Sequence, residues 1–188
     1  HTLFAGAADL FTAMLDALGQ PTNPSPTSFT SPTNPTNSTL ILCGSTQSRA
    51  PDIGIESAPM PRAIYDGSDD LTLWDTTAYD NTHSLILTIP HTHRTGKAVA
   101  VHLRSIMARM ARRLTDRHRP DHLIIEGGAT AWATLQSLGW TEFEIVRQIA
   151  PGVVQMRASN GTLVTLKPGS YPWGDLWSFG SSSNLDKQ

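Results

Sequence analysis

Apolar residues in this chain fall into short, bounded runs separated by glycine, proline and hydroxyl-bearing residues. Thr39-Leu40-Ile41-Leu42-Cys43 and Leu123-Ile124-Ile125 are continuous apolar runs of strand length. Runs of this kind, closed by breakers, predict strands buried on both faces. Ser84 to Ile89 predicts another strand, ended by Pro90. From Gly96 to Arg119 the period becomes helical. Ala98, Val101, Leu103, Ile106, Met107, Met110 and Leu114 supply the apolar positions, and Pro120 ends the run. Leu3, Ala7, Leu10, Met14 and Leu18 fall near one face of a further helix, stopped by Gly19 and Pro21. After Gly139 alternation suits strands over Phe143 to Ile149, Gly152 to Met156 and Gly161 to Leu166. Asn160-Gly161 is a hairpin signal. A short helix over Asp175 to Phe179 and a polar tail, 181–188, follow. Ile53 to Ile64 holds Pro59 and Pro61 and leaves a short strand open.

One stretch compresses a strand, a turn and a helix start into eleven residues, Leu123 to Ala133. The apolar run stops at Gly127-Gly128, and Thr130 follows where its hydroxyl is placed to cap the helix or face a ligand. A helix start preceded by glycines offers unpaired N–H groups and the positive end of the dipole to an anion such as phosphate. A plain strand-to-helix turn is the alternative. The same form recurs twice. Leu42-Cys43 runs into Gly44-Ser45-Thr46-Gln47-Ser48, and Leu166 runs into Lys167-Pro168-Gly169. These readings predict an α/β fold: an open mixed or mainly parallel sheet flanked by helices, with a ligand site at the strand C-terminal ends. Ligands of such sheets bind beyond the carboxyl ends of the strands. Parallel neighbours would therefore bring the three turns together. A nucleotide would find N–H groups of Gly127 and Gly128, hydroxyls of Ser45 and Thr130, and the charge of Lys167. Neither a Walker P-loop nor a Gly-x-Gly-x-x-Gly fingerprint is present.

Composition narrows the picture. The chain has 188 residues, 39% hydrophobic and 16% charged, enough to bury a core. Its net charge of −2 offers no basic field for nucleic acid, so the six arginines between Arg104 and Arg119 read as a solvated helix face. No apolar run approaches the roughly 20 residues of a membrane span. Cys43 is the only cysteine and reads as a buried small hydrophobe rather than a nucleophile. No intrachain disulfide can form, which suits a cytoplasmic protein. Gln20 to Thr39 is rich in proline, threonine, asparagine and serine and reads as an exposed insertion. Asp66 to Asp70 reads as a solvated acidic turn, not a cation loop. His91-Thr92-His93 has metal-pair spacing, but no third ligand follows at a recognisable interval.

Several of these motifs carry a resemblance. Gly127-Gly128-Ala129-Thr130-Ala131, then Glu144 to Val153, then Thr165-Leu166-Lys167-Pro168-Gly169, resemble in order and spacing the C-terminal nucleotide-binding domain of the four-carbon acid sugar kinase family. Gly6-Ala7-Ala8-Asp9-Leu10 and Leu42-Cys43-Gly44-Ser45 are similar to earlier motifs of that family. The resemblance spans about Leu3 to Gly174. It implies ATP- and Mg²⁺-dependent phosphorylation of a four-carbon sugar acid: a threonate, an erythronate or a 3-oxo form. It implies nucleotide contacts at Ser45, Gly127, Gly128, Thr130 and Gly169, with Lys167 in the Lys-x-Gly position as a candidate phosphate holder. It also implies a separate N-terminal domain that binds the sugar acid and carries the catalytic acidic residue. The chain starts at His1 rather than Met, which suits a fragment of such a protein. The domain expected here is 1–180, with the insertion at 20–39. No catalytic residue and no metal ligand is expected within it, and the chain alone is expected to be inactive. The expected partners are a nucleotide and, through the other domain, a sugar acid. Neither nucleic acid nor membrane is expected, and a homodimer is left open.

Departures from the family pattern keep two rivals in view. Asp9 stands where glycine is usual, and Ala129 where Asp often precedes Thr130. Tyr171-Pro172-Trp173-Gly174 lengthens the final loop, and Pro51 interrupts the segment after Ser45. One rival is a degenerate kinase domain that binds a nucleotide or a phosphorylated metabolite without phosphoryl transfer. The other is an α/β interaction domain with structural glycines.

Overall fold

The computed structural model describes residues 38–45, 50–90, 96–150 and 152–169, all within the compact unit Asn34–Gln188. The expected helix from Leu3 to Leu18, most of the proline-rich insertion, Thr46 to Ser48, His91 to His93 and everything from Ser170 onward lie outside the described residues.

Among the described residues seven strands form one sheet. They are β1 (Thr39–Cys43), β2 (Ser57–Pro59), β3 (Leu85–Thr88), β4 (His122–Glu126), β5 (Phe143–Ala150), β6 (Val153–Ala158) and β7 (Leu163–Lys167). Their spatial order is β2-β3-β1-β4-β7-β6-β5. β2, β3, β1, β4 and β7 run parallel; β6 is antiparallel to both β7 and β5. The helices are α1 (Arg62–Tyr65), α2 (Thr77–Thr82), α3 (Lys97–Arg117) and α4 (Gly128–Leu138), with a 3₁₀ turn at Leu71–Leu73. The α/β class and the mainly parallel sheet agree with the sequence.

The continuous apolar runs become the central strands because both their faces are covered. Leu40, Leu42, Leu85, Leu87, Leu123 and Ile125 point to one side, where they join Leu103, Ile106, Met107, Met110 and Leu114 of α3. The α3 positions recur at three- and four-residue intervals, which gives one apolar stripe. Ile41, Cys43, Ile86 and Ile124 point to the other side and pack with Ala50, Ile53 and Ile55. Full burial of each such side chain contributes about 1.5–3 kcal/mol. The basic face of α3 is paired with surface acids, Arg109 to Asp69, Arg112 to Asp116 and Arg117 to Asp80, all exposed. That matches a solvated face.

Turn chemistry sets the element ends. α4 stops at Gly139, whose φ of 71° lets Gly139 N–H bond Gln136 and Trp140 N–H bond Leu135. This is a glycine-terminated helix end. Gly161 (φ 91°) closes the β6–β7 hairpin, and Thr162 N–H donates to Asn160 Oδ1 at 3.0 Å. The open segment from Ile53 to Ile64 resolves into β2 and the start of α1.

Candidate functional site

β1, β4 and β7 are adjacent and in register, so their last residues form a row. Cys43 faces Glu126, and Glu126 faces Lys167. The turns after these strands therefore leave the sheet side by side. This is the arrangement that the sequence made conditional on parallel neighbours.

The turns touch. A Cβ on Gly44 would lie 2.1 Å from Thr130 Oγ1 and 2.8 Å from the Glu126 carbonyl oxygen. Only glycine lets the chain leave β1 so close to the first turn of α4. Thr130 is 5% exposed, so its side chain fills the space beneath Gly44. On the other flank, a Cβ on Gly169 would lie 3.4 Å from Ser45 Cβ and 3.5 Å from its Oγ. Ser45, Thr130 and Gly169 are thus brought together with the Gly127-Gly128 turn.

The two glycines of that turn differ. Gly127 adopts φ 93° and its N–H donates to the Lys167 carbonyl at 2.8 Å. This corrects the expectation that Gly127 offers its N–H to a ligand, because the β4–β7 ladder extends one step into the turn and uses it. Its carbonyl accepts the first intrahelical bond, from Ala131 N–H at 2.9 Å. The N–H groups of Gly128, Ala129 and Thr130 precede that bond and have no intrahelical acceptor. A Cβ placed on Gly128 meets nothing within 4 Å, so the helix start opens outward at that residue.

Lys167 ends β7 beside Glu126. It is 1% exposed, and its Nζ donates to Glu126 Oε1 at 2.6 Å and to the Pro168 carbonyl at 3.1 Å. Its ammonium is therefore buried together with the Glu126 carboxylate. Glu126, its partner, was not singled out by the sequence. The available signal was a carboxylate ending an otherwise apolar strand. Cys43 completes the row. Burial, with a further contribution from Glu126 and opposed by Lys167, pushes its thiol up to about 12. A thiol held that high is protonated and inert, as a small buried hydrophobe should be.

Other candidate groups lie elsewhere. Asp66 pairs with Arg62, Asp69 with Arg109, and Asp70 caps Thr72, so the acidic turn is structural. His102 contacts the Ile64 carbonyl, and His122 contacts Thr165 Oγ1 at 2.8 Å. No group of three or more His, Cys, Asp or Glu among the described residues is placed to hold a metal. A cavity of about 460 Å³ lies beside the edge strand β2, lined by residues such as Glu56, Pro59, Leu73, Asp75 and Asn81. None of Cys43, Ser45, Glu126, Gly127, Gly128, Thr130, Lys167 or Gly169 lines it.

The fold recurs in solved structures. A domain of unknown function (DUF1537) from Bordetella bronchiseptica, a domain-swapped dimer with bound citrate, is 18% identical with a TM-score of 0.57, over 71% of this chain and 37% of that one. Haemophilus influenzae protein HI1011, of the same family model, is 19% identical with a TM-score of 0.57, over 85% of this chain and 43% of that one. A structure described as the putative tRNA synthase from Salmonella typhimurium LT2 is 19% identical with a TM-score of 0.51, over 79% and 41%. This chain therefore spans about two-fifths of the solved chains that it resembles. Among curated proteins none matches. The family model for the nucleotide-binding C-terminal domain matches residues 60–171, more than half of the chain and including both Gly127-Gly128 and Gly169. The chain belongs to the nucleotide-binding C-terminal domain family, in line with its resemblance to the C-terminal domain of four-carbon acid sugar kinases.

Proposed function

We propose that this domain binds Mg-ATP at the ends of β1, β4 and β7 and supplies the nucleotide half of a kinase that phosphorylates a four-carbon sugar acid. The substrate class is a threonate, an erythronate or a 3-oxo-tetronate. The observation that carries this reading is the convergence of three glycine turns on one open helix start. Phosphoryl transfer depends on positioning and on neutralising phosphate charge. The start of α4 suits both, with N–H groups at Gly128, Ala129 and Thr130 and the dipole behind them. Ser45 and Gly169 would form the opposite wall; they lie close enough that a Cβ added to Gly169 would sit 3.4 Å from Ser45 Cβ. Lys167 acts from its buried place beside Glu126. Mg²⁺ would arrive with the nucleotide, held on its phosphates.

Among the described residues, the carboxylate at these strand ends, Glu126, is engaged by Lys167. The base and the sugar-acid pocket then belong to a second domain, and this chain alone transfers no phosphate. The protein would work in the cytoplasm. The Bordetella relative is a dimer holding citrate, a polyacid, which suits a dimer and an acidic substrate here. Ala129, exposed in the first turn of α4, favours a second reading: a domain that binds nucleotide without transfer.

Titration calorimetry with Mg-ATP tests the binding, and phosphate release onto a panel of four-carbon sugar acids by the whole protein tests the transfer. Saturable heat with transfer supports the kinase. Saturable heat without transfer to any acid leaves the binding module. No heat at millimolar Mg-ATP in the whole protein rejects both.

A further inference from the structure

The interior ion pair at the strand ends has more connections than a stabilising contact requires. Lys167 Nζ bonds Glu126, the last residue of β4, and the carbonyl of Pro168, the first residue after β7. The Lys167 carbonyl accepts the N–H of Gly127. One lysine is thus tied to a strand, to the turn above that strand and to the neighbouring loop. The next residue of that loop, Gly169, lies near Ser45: a Cβ added to it would sit 3.4 Å from Ser45 Cβ. Both side chains of the pair are fully buried. Replacing such a pair by packed neutral residues often costs little stability, so a fixed geometry is the more telling use of it.

We propose that Glu126 and Lys167 form a positioning clamp, which sets nucleotide affinity by holding the Gly127-Gly128 turn against the Pro168-Gly169 loop without touching the phosphates. The clamp rests on the nucleotide-site reading. It assigns Lys167 an indirect role and gives Glu126 an equal share in it.

The test titrates Mg-ATP into the parent, Glu126→Asp, Glu126→Gln, Lys167→Met and the exchanged pair Glu126→Lys/Lys167→Glu. Shortening Glu126 to Asp keeps both charges but draws the carboxylate away from Nζ, so the protein folds with a slack clamp. The expected results are a several-fold loss of affinity for Glu126→Asp and at least a tenfold loss for Glu126→Gln and Lys167→Met. The exchanged pair should recover part of the loss. A lysine that grips phosphate directly requires the opposite at Glu126. Removing or retracting the carboxylate would then leave Mg-ATP binding unchanged or tighter, and that result overturns the clamp.

Cys43, the only cysteine and buried beside the pair, supplies a second readout. Its rate of modification by a thiol reagent should rise at least tenfold in Glu126→Asp and Lys167→Met and fall back in the exchanged pair. If the parent binds no Mg-ATP, the nucleotide reading fails and these rates still judge the clamp. Rates equal to the parent's in every variant overturn it.

Discussion

Gly44→Ala is the substitution with the sharpest structural expectation. The added Cβ would lie 2.1 Å from Thr130 Oγ1, 2.7 Å from Thr130 Cβ and 2.8 Å from the Glu126 carbonyl oxygen. Real side chains do not tolerate contacts below about 3 Å, and neither neighbour yields readily. Thr130 is buried in the first turn of α4, and the Glu126 carbonyl belongs to the backbone of β4. The turn after β1 must therefore move away from β4 and α4. Overpacking of this kind costs about 1–3 kcal/mol, occasionally more. Two rigid neighbours put Gly44→Ala near 3 kcal/mol on that scale. For a chain of this size 1 kcal/mol moves the midpoint by about 2–4 °C, so the expected fall is about 6–12 °C. Thr130→Gly removes two of the three close contacts and leaves the carbonyl. In that background the cost of Gly44→Ala should shrink but not vanish. Thermal melts by circular dichroism and calorimetry on the four proteins give the cycle. A Gly44→Ala protein that melts within about 2 °C of the parent would refute the proposed contact between β1 and α4.

Two further expectations concern single residues. Gly127→Ala places a side chain at φ 93° and should destabilise by about 1 kcal/mol or more, whereas Gly128→Ala, whose Cβ meets nothing, should be neutral or stabilising by up to about 1 kcal/mol; equal denaturation midpoints for the two would contradict the turn geometry. Burial first, then Arg147, lowers the His122 imidazole to about 4. A depressed histidine stays neutral when folded, while the unfolded chain takes up a proton below about 6.5. Stability should therefore fall as pH drops from about 6.5 to 4, by at most about 3 kcal/mol from this residue. His122→Asn should flatten that interval in urea titrations, and a parent profile that is already flat there would contradict the assignment.

The strands around the site were readable because each is a bounded apolar run, and burial on both faces is what such a run encodes. β1 agrees with its predicted limits, and β4 gains only the flanking His122 and Glu126. The glycine turns were readable as breakers. Their meeting was not, since it depends on β7 inserting beside β4 ahead of β5 and β6, an order that no local pattern contains. Glu126 and Lys167 are 41 positions apart and become partners only through that register. A lysine after an apolar strand reads as a surface charge until a buried carboxylate is seen beside it. Gly127 likewise reads as a free donor until the neighbouring strand supplies the Lys167 carbonyl. α2 escaped prediction for a different reason. It is six residues long, buries only Tyr79 and thus has no apolar period. Its start is marked only by Asp75, whose Oδ1 accepts from Thr77 N–H and hydroxyl.

The most direct test of a nucleotide site at the strand ends is thermal unfolding of the parent and Gly128→Asp, each with and without Mg-ATP. The Gly128 site has room for a side chain, so the variant should fold while placing a carboxylate at the helix start. A ligand that binds only the folded state at about tenfold excess over its Kd adds roughly 1.4 kcal/mol. That raises the parent midpoint by about 3–6 °C at 2–4 °C per kcal/mol. The expected result is this rise in the parent and its loss in Gly128→Asp. An equal rise in both places the nucleotide elsewhere, and no rise in the parent at millimolar Mg-ATP contradicts a nucleotide site in this domain.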